Sequence, residues 1–165
     1  MSELRLAPCR IVPARSRADV AAARRLFEAY AASLDFSLCF QDFERELKSL
    51  PGEYAPPRGA LLLARREEGG AAIGCVALRP LAEAGAAEMK RLYLAPEARG
   101  LGVGRRLVQA IVDEARRLGY RTMKLDTVAG SMQAAIGLYR DFGFHETAPY
   151  THNPQPDVIY MERTL

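Results

Sequence analysis

Residues 92–105 read LYLAPEARGLGVGR, and this stretch decides the fold of the chain. An apolar strand leads into a turn containing Pro96, then into a glycine-dense loop and a strongly amphipathic helix. Glycines at the start of a helix let backbone N–H groups approach a ligand, and the helix N-terminus adds unpaired donors and partial positive charge. Arg99 and Arg105 flank the loop, so we expect the segment to hold an anion, and a phosphate fits this chemistry best.

The spacing of the glycines distinguishes between the known types of phosphate-binding loop. A P-loop needs Lys followed by Ser or Thr after its glycines, and neither follows here. In a G-x-G-x-x-G fingerprint the third glycine would fall on Arg105 or Leu107, so that motif is absent as well. The pattern that does fit is Arg99-x-x-Gly102-x-Gly104, which resembles the acetyl-coenzyme A pyrophosphate loop of the GNAT superfamily of N-acetyltransferases. The motif alone leaves open a glycine-rich helix start without a ligand.

Length and composition indicate one domain, residues 1–165, with an ordinary globular core. The net charge of +3 is spread along the chain, which argues against a nucleic-acid partner. No apolar run approaches membrane-spanning length and no signal pattern opens the chain, so we expect a cytoplasmic protein with no membrane partner. Cys9, Cys39 and Cys75 are predicted to be reduced, partly buried thiols, and His145 and His152 do not predict a metal site.

The first half of the chain predicts two helices and several antiparallel strands. Ser16 followed by Asp19 resembles a capping box that opens a helix ending at about Ser33. A second, shorter helix is indicated by apolar residues at helical spacing, namely Phe40, Phe43, Leu47 and Leu50. Short turns between apolar runs predict antiparallel strands. These strands are Arg10–Ala14, Ala60–Arg65, Ala72–Arg79 and Glu88–Ala95.

The second half predicts one parallel crossover. An amphipathic helix follows Gly104 and ends near Gly119, and the alternating strand Arg121–Val128 comes next. A strand–loop–helix–strand order makes that strand parallel to the one before the loop. A helix over Ser131–Phe142 and a closing hairpin, Phe144–Thr147 with Val158–Thr164, complete the chain. The predicted fold is α/β, with a mixed, mostly antiparallel sheet and flanking helices, and this order resembles GNAT from end to end.

The GNAT resemblance implies acetyl-CoA as the acetyl donor, without a metal. In that family the two parallel strands separate, and the pantetheine arm lies in the opening, where backbone groups hold it. The implied pantetheine contacts are Leu92, Tyr93 and Leu94, whose side chains could equally be plain core. The implied pyrophosphate contacts are Arg99, Gly100, Leu101, Gly102, Val103, Gly104 and Arg105.

Tyr139, in the segment LYRDFGF, is the sharpest catalytic candidate. The segment resembles the GNAT helix whose tyrosine lies beside the coenzyme A sulfur. A phenol with a pKa near 10 can protonate a thiolate whose reference pKa is about 8.5 while staying neutral at pH 7. The alternative is a buried helical tyrosine that bonds a carbonyl. Many relatives carry Asn seven residues earlier, where this chain has Met132, and we leave that position out of the site.

A carboxylate is predicted to take the proton of the incoming amine. Glu88, at the start of the strand that enters the site, is the predicted general base, and an exposed strand-end glutamate is the alternative. We expect direct attack, because no Cys or Ser lies in a recognisable nucleophile setting. A backbone N–H of the strand Leu92–Leu94 would stabilise the oxyanion.

The acceptor half of the site is implied by the family, in which the first two helices and the last hairpin form its wall. The residues in those segments are Phe36, Phe40, Tyr54, Tyr150, Asn153 and Tyr160. Tyr150 and Asn153, in a proline-braced loop, are the predicted substrate contacts. The predicted function is an N-acetyltransferase acting on a small primary amine. Acetylation of a protein N-terminus or lysine, a non-catalytic acyl-CoA-binding module, and a homodimer all stay open.

Overall fold

Seven strands form one mixed sheet in the computed structural model, which describes residues 8–38, 42–130 and 132–165. Their order across the sheet is β1-β2-β3-β4-β5-β7-β6, and the β4–β5 pair is parallel while the other pairs are antiparallel. The bounds are β1 Cys9–Pro13, β2 Ala60–Arg66, β3 Ala72–Pro80, β4 Ala86–Leu94, β5 Thr122–Val128, β6 His145–Thr147 and β7 Val158–Thr164. The predicted α/β fold with one parallel crossover is confirmed.

In the described part of the chain, four α-helices flank the sheet: α1 Arg17–Ser33, α2 Phe43–Ser49, α3 Val103–Arg117 and α4 Gln133–Asp141. The predicted capping box is present, because the Asp19 N–H donates to Ser16 Oγ at 3.0 Å and the Ser16 N–H donates to Asp19 Oδ2 at 3.3 Å. Predicted element bounds hold to within one or two residues where the structure can be compared. Cys39, Phe40 and Ser131, to which the sequence assigned roles, lie outside the described residues.

The core is divided between the two faces of the sheet. Leu107 and Ile111 of α3 pack with Met123 of β5 on one face, which we call the α3/α4 face. Phe27 of α1 packs with Leu63 of β2 on the other, which we call the α1/α2 face. The thiols of Cys9 and Cys75 are free and buried, and burial raises the pKa of Cys75 to about 12. No helix in the described ranges is long and apolar enough to cross a membrane.

Strand β4 contains a bulge, and this bulge sets the directions of the side chains that follow it. Cys75 lies opposite Tyr93 and Ala77 lies opposite Lys90, so β4 holds one residue more than β3 over this interval. Arg91 has a φ of 60°, in the left-handed region. Strict alternation would place Met89 and Tyr93 on the same face, but Met89 packs in the α3/α4 cluster and Tyr93 packs against the α1/α2 cluster.

Strands β4 and β5 are paired only at their beginnings. The parallel register joins Ala86 to Thr122, Ala87 to Met123 and Glu88 to Lys124, and no pair follows. Beyond those pairs the strands part, so the β5-facing edge of residues 89–94 has no strand partner among the residues that the structure describes. The parting opens a gap in the middle of the sheet.

Candidate functional site

A cleft of about 440 Å³ occupies the gap where β4 and β5 part. Residues from both faces of the sheet line it, so it is reached by α1 on one side and by α4 on the other. From α1 and the segment after it come Tyr30, Ser33, Phe36 and Leu38, and from α4 and its N-cap come Met132, Ala134, Ala135 and Tyr139. The strands and adjoining loops supply Lys90, Leu92, Arg99, Asp126, Thr127 and Asn153, among others.

The glycine loop adopts the conformation that its composition predicts. Gly100 and Gly102 have φ values of 76° and 79°, a region that costs most other residues free energy. A Cβ atom at Gly104 would lie 3.3 Å from Leu94 Cδ1 and 3.5 Å from Leu138 Cδ2, so a larger side chain would push α3 from its neighbours. The glycines therefore hold the start of α3 close to the end of β4.

The N-terminus of α3 presents free backbone donors. Gly102 is the N-cap and no side chain caps the helix, while the first helical bond runs from the Arg106 N–H to the Gly102 carbonyl. Within the described ranges, the N–H groups of residues 103–105 have no backbone acceptor. The side chains of Leu101 and Val103 pack against the core, so a ligand would meet the backbone of these two residues.

The two arginines of the loop differ in their surroundings. Arg99 is exposed and lines the cleft, where its Nε donates to the Leu94 carbonyl at 3.3 Å. Arg105 Nη2 forms an ion pair with Asp141 Oδ2 at 2.8 Å, and both side chains are more than half exposed. Arg99 is thus the cation nearer to the cleft, whereas Arg105 lies outside it.

Residues 92–94 combine a core role with a free backbone edge. Leu92 and Leu94 pack against the α3/α4 cluster, and Tyr93 contacts Tyr30 with ring centroids 6.0 Å apart. On one side Tyr93 and Leu94 pair with β3, and on the other β5 has already turned away. An extended amide-bearing ligand could add to that edge in the manner of a further strand.

Tyr139 projects from α4 into the cleft. Its side chain is buried, and its ring meets Phe144 edge-on with centroids 5.9 Å apart. The hydroxyl has no hydrogen-bond partner among the described residues, unlike that of a tyrosine anchored to a carbonyl. Burial raises the pKa of Tyr139, with smaller contributions from Tyr30 and Asp126, so the phenol stays protonated at neutral pH.

Glu88 is buried within β4, with no exposed surface, rather than at a strand end. Its carboxylate accepts hydrogen bonds from Arg79 Nε at 2.6 Å and from the Tyr150 hydroxyl at 2.5 Å, and Lys90 Nζ lies 3.8 Å away. Burial by itself would raise the pKa of Glu88, but the charges of Lys90 and Arg79 and the two hydrogen bonds hold it below its usual range. Because Glu88 has no exposed surface, the exposed-glutamate alternative is wrong. Because its pKa is held low and it does not line the cleft, the carboxylate is a poor acceptor for a proton from a ligand there.

Of the two predicted substrate contacts, Asn153 lines the cleft and Tyr150 does not. Asn153 Nδ2 donates to Asp126 Oδ2 at 3.2 Å, while its Oδ1 accepts from the Gln155 N–H at 3.0 Å. Tyr150 donates its hydroxyl to Glu88 instead, and the Lys124 ammonium lies 5.6 Å from the centroid of its ring. Tyr150 therefore braces the polar cluster beside the cleft rather than facing its interior.

The remaining predicted wall residues have mixed positions. Phe36 lines the cleft. Tyr54 is buried against Phe27, with centroids 6.0 Å apart, and Tyr160 donates its hydroxyl to the Thr151 carbonyl, so both are structural. At the position where many relatives carry Asn, the sulfur of Met132 accepts a hydrogen bond from Thr127 Oγ1 at 3.2 Å.

Sequence reasoning missed several polar residues of the cleft, among them Tyr30, Lys90 and Asp126. The alternation of polar and apolar residues along β5 could have identified Asp126, because it places Lys124 and Asp126 on the face opposite Met123. Among the described residues no cluster of His, Cys, Asp and Glu could hold a metal ion.

A mixed sheet that parts beside a glycine-capped helix is the arrangement that the GNAT resemblance implies for an acyl-CoA-dependent acyltransferase. Residues 21–144 match the family model described as acetyltransferase (GNAT) family, which is about three quarters of the 165 residues. The chain belongs to this family and is an acyltransferase.

Individual relatives agree with this assignment. An uncharacterized N-acetyltransferase of Schizosaccharomyces pombe is 44% identical over 138 residues, which cover 84% of this chain and 83% of the relative. The crystal structure of an acyl-CoA N-acyltransferase from Klebsiella pneumoniae is 30% identical with a TM-score of 0.70, and the match covers 96% of this chain and 99% of that one. A phosphinothricin acetyltransferase from Sinorhizobium meliloti, solved in complex with AcCoA, shares the fold at 24% identity and a TM-score of 0.70, over 95% and 88% of the chains.

Proposed function

We propose that the chain transfers the acetyl group of acetyl-CoA to the primary amine of a small molecule by direct attack. One observation carries the proposal: Tyr139 lines the cleft between β4 and β5, and the glycine loop joins the end of β4 to the uncapped start of α3. That arrangement supplies a channel for an extended arm, donors for its phosphates and a proton for its sulfur.

On the donor side, the free edge of Leu92, Tyr93 and Leu94 would pair with the pantetheine amides, and their N–H groups are the candidates for stabilising the oxyanion. The diphosphate would lie on the loop 99–105, where the left-handed Gly100 and Gly102 expose the backbone. Arg99 adds a positive charge at the cleft. The exposed Arg105 adds a second positive charge beside the loop, where its Nη2 is paired with Asp141.

Tyr139 would act as the general acid. Its burial keeps the hydroxyl protonated, and the absence of a partner among the described residues leaves that proton available to a departing thiolate. A non-catalytic module that only binds acyl-CoA has no need of such a group. The tyrosine therefore supports an enzyme over a binding module.

The acceptor side favours a small molecule. Tyr30, Ser33 and Phe36 of the α1 segment narrow the cleft, and its total volume of about 440 Å³ suits a compact ligand. A protein N-terminus or a lysine would have to enter as an extended tip. The S. meliloti neighbour is a phosphinothricin acetyltransferase, so the same fold serves a small acceptor in that protein.

Thiol release from acetyl-CoA, followed with a panel of amines, tests the proposal. The panel holds amino acids, polyamines, aminoglycosides, and peptides with either a free N-terminus or an internal lysine. We expect release that depends on one of the small amines, with an N-acetylated product identified by mass spectrometry. Release with peptides alone would replace the small-molecule acceptor by a protein. Tight acetyl-CoA binding without turnover on any amine would favour the binding module.

A further inference from the structure

Asp126 is a carboxylate that lines the cleft. It belongs to the polar face of β5, where it alternates with Leu125 and Met123 of the α3/α4 cluster. Its side chain is half-buried and contributes to the cleft lining, close to Asn153 and Lys90. The proposed function does not use it.

The hydrogen bonds around Asp126 fix one carboxylate oxygen and leave the other available. Oδ2 accepts from Asn153 Nδ2 at 3.2 Å, and Oδ1 has no partner among the described residues. The Asn153 amide is itself oriented, because its oxygen accepts from the Gln155 backbone N–H and its nitrogen must then face Asp126. A carboxylate held by one oxygen can bind a cation with the other.

Four ionisable groups from different parts of the fold interact electrostatically with Asp126: Tyr30 of α1, Lys90 of β4, Tyr139 of α4 and Tyr150 of the last loop. The three tyrosines are neutral at pH 7, because burial raises the pKa of each one. Lys90 is the cation of the group, and it lies 3.8 Å from Glu88. Asp126 thus lines the same cleft as the proposed acid Tyr139, and it lies on the face of β5 opposite the α3/α4 cluster, where the GNAT resemblance implies the acceptor.

We propose that Asp126 is the acceptor-side catalytic residue: its carboxylate binds the ammonium group of the incoming amine and takes a proton from it. Asn153 is a positioning residue that aims the carboxylate. The inference rests on the proposed function and names its substrate class as primary amines that arrive protonated.

The step balances in protons and electrons. One ammonium proton passes to Asp126 and then to solvent, and the freed nitrogen lone pair forms the N–C bond to the thioester carbonyl carbon. The C–S bond breaks, and the sulfur leaves with its electron pair and takes a proton from Tyr139. The second proton lost by nitrogen passes to solvent, from which the Tyr139 hydroxyl is restored. The products are an amide, the free thiol and one net proton.

Asp126 suits this role better than Glu88 does. Glu88 is fully buried and is held by Arg79 and Tyr150, so an acceptor amine would have to displace both to reach it. Asp126 can bind an ammonium through Oδ1 without losing the hydrogen bond that Oδ2 accepts from Asn153. A proton acceptor must lie within hydrogen-bond reach of the group it deprotonates, which favours the residue in the cleft.

The test compares wild type with Asp126→Asn, which keeps the shape and removes the charge, and with Asp113→Asn, an exposed carboxylate on α3, as a matched control. Each protein is assayed for kcat/KM with the best amine of the panel between pH 6 and the pKa of that amine, for acetyl-CoA affinity by calorimetry and for its melting temperature. We expect Asp126→Asn to lose about 10²-fold in kcat/KM near neutral pH, the typical range for a lost general base. The deficit should shrink as the pH rises, because more of the amine is then already neutral.

Acetyl-CoA affinity and melting temperature should match the Asp113→Asn control. Asn153→Ala should cost less than Asp126→Asn, and the double variant should be no worse than Asp126→Asn, because Asn153 acts through the carboxylate. An Asp126→Asn variant with the wild-type pH profile and kcat/KM would overturn the inference and leave the proposed function standing. So would an equal loss of acetyl-CoA affinity. A wild type that acetylates no amine would instead overturn the proposed function, and the inference with it.

Discussion

Replacing Glu88 by Gln removes a negative charge from the least exposed polar position of the sheet. The variant keeps an oxygen that can accept from Tyr150, but Arg79 and Lys90 lose their shared counter-charge. Breaking a buried ion pair from one side costs about 3–5 kcal/mol. Arg79 is 30% exposed and keeps Glu53 at 2.9 Å, so we expect the lower end of that range, about 3 kcal/mol of unfolding free energy.

Urea unfolding followed by circular dichroism measures this loss. For a chain of this length each kcal/mol lowers the melting temperature by about 2–4 °C, so the expected decrease is about 6–12 °C. Glu83→Gln is the control, because Glu83 also pairs with a lysine, at 2.9 Å from Lys124 Nζ, but is 63% exposed. An exposed pair of this kind is worth at most about 1 kcal/mol.

The activity of the Glu88→Gln variant completes the comparison. Because Glu88 does not line the cleft, the folded variant should lose far less than the roughly 10²-fold expected when a general base is removed. A variant with wild-type stability and a loss of that size would refute this reasoning. It would make Glu88 the proton acceptor that its position on the strand first indicated.

Three further outcomes are expected. Tyr139→Phe should lower turnover by about 10²-fold or more while the affinity for acetyl-CoA, measured by calorimetry, hardly changes, and unchanged turnover would remove the acid role. Gly102→Glu should abolish acetyl-CoA binding, because it forces a charged side chain into a left-handed position at the start of α3, and tight binding by that variant would contradict the loop assignment. Hydrogen bonds from Arg15 and Arg65 lower the pKa of Asp19 to about 2, below its unfolded value, so the stability that Asp19 contributes is present above pH 4 and lost as the pH falls towards 2. Thermal melts should show that Asp19→Asn is less stable than wild type at pH 7 and loses less on acidification, and parallel pH curves would be the contrary result.

The parts of the fold that sequence could predict are those that depend on local patterns. The capping box at Ser16 and the helical period after Gly104 each lie within a few turns of chain, and both helices are present. The bulge at Arg91 could not be predicted, since arginine has no preference for a left-handed φ. Its guanidinium bonds both carboxylate oxygens of Glu46, at 2.8 and 2.9 Å, and that partner lies 45 residues away in the sequence.

The candidate site divides in the same way. The donor half is a property of consecutive backbone groups, so the glycine spacing was enough to locate it. The surroundings of Glu88 depend on Tyr150, which is 62 residues away, and Asp126 meets Asn153 across 27 residues. Contacts between residues so far apart in the sequence follow from the order of the strands in the sheet, and not from the spacing of residues in a local motif. The sequence therefore shows a carboxylate at position 88, but it could not predict that this carboxylate belongs to an ion-pair network.

The parting of β4 and β5 has a consequence for how such a protein can change. Residues that would hold the donor lie at the end of β4 and in the α3 loop, while Ser33 and Phe36 line the same cleft from the α1 segment. Mutations in these two side chains can accumulate without disturbing the glycine loop. A directed-evolution library restricted to them would explore new acceptors at constant donor affinity, and a duplicated gene could diverge along the same route.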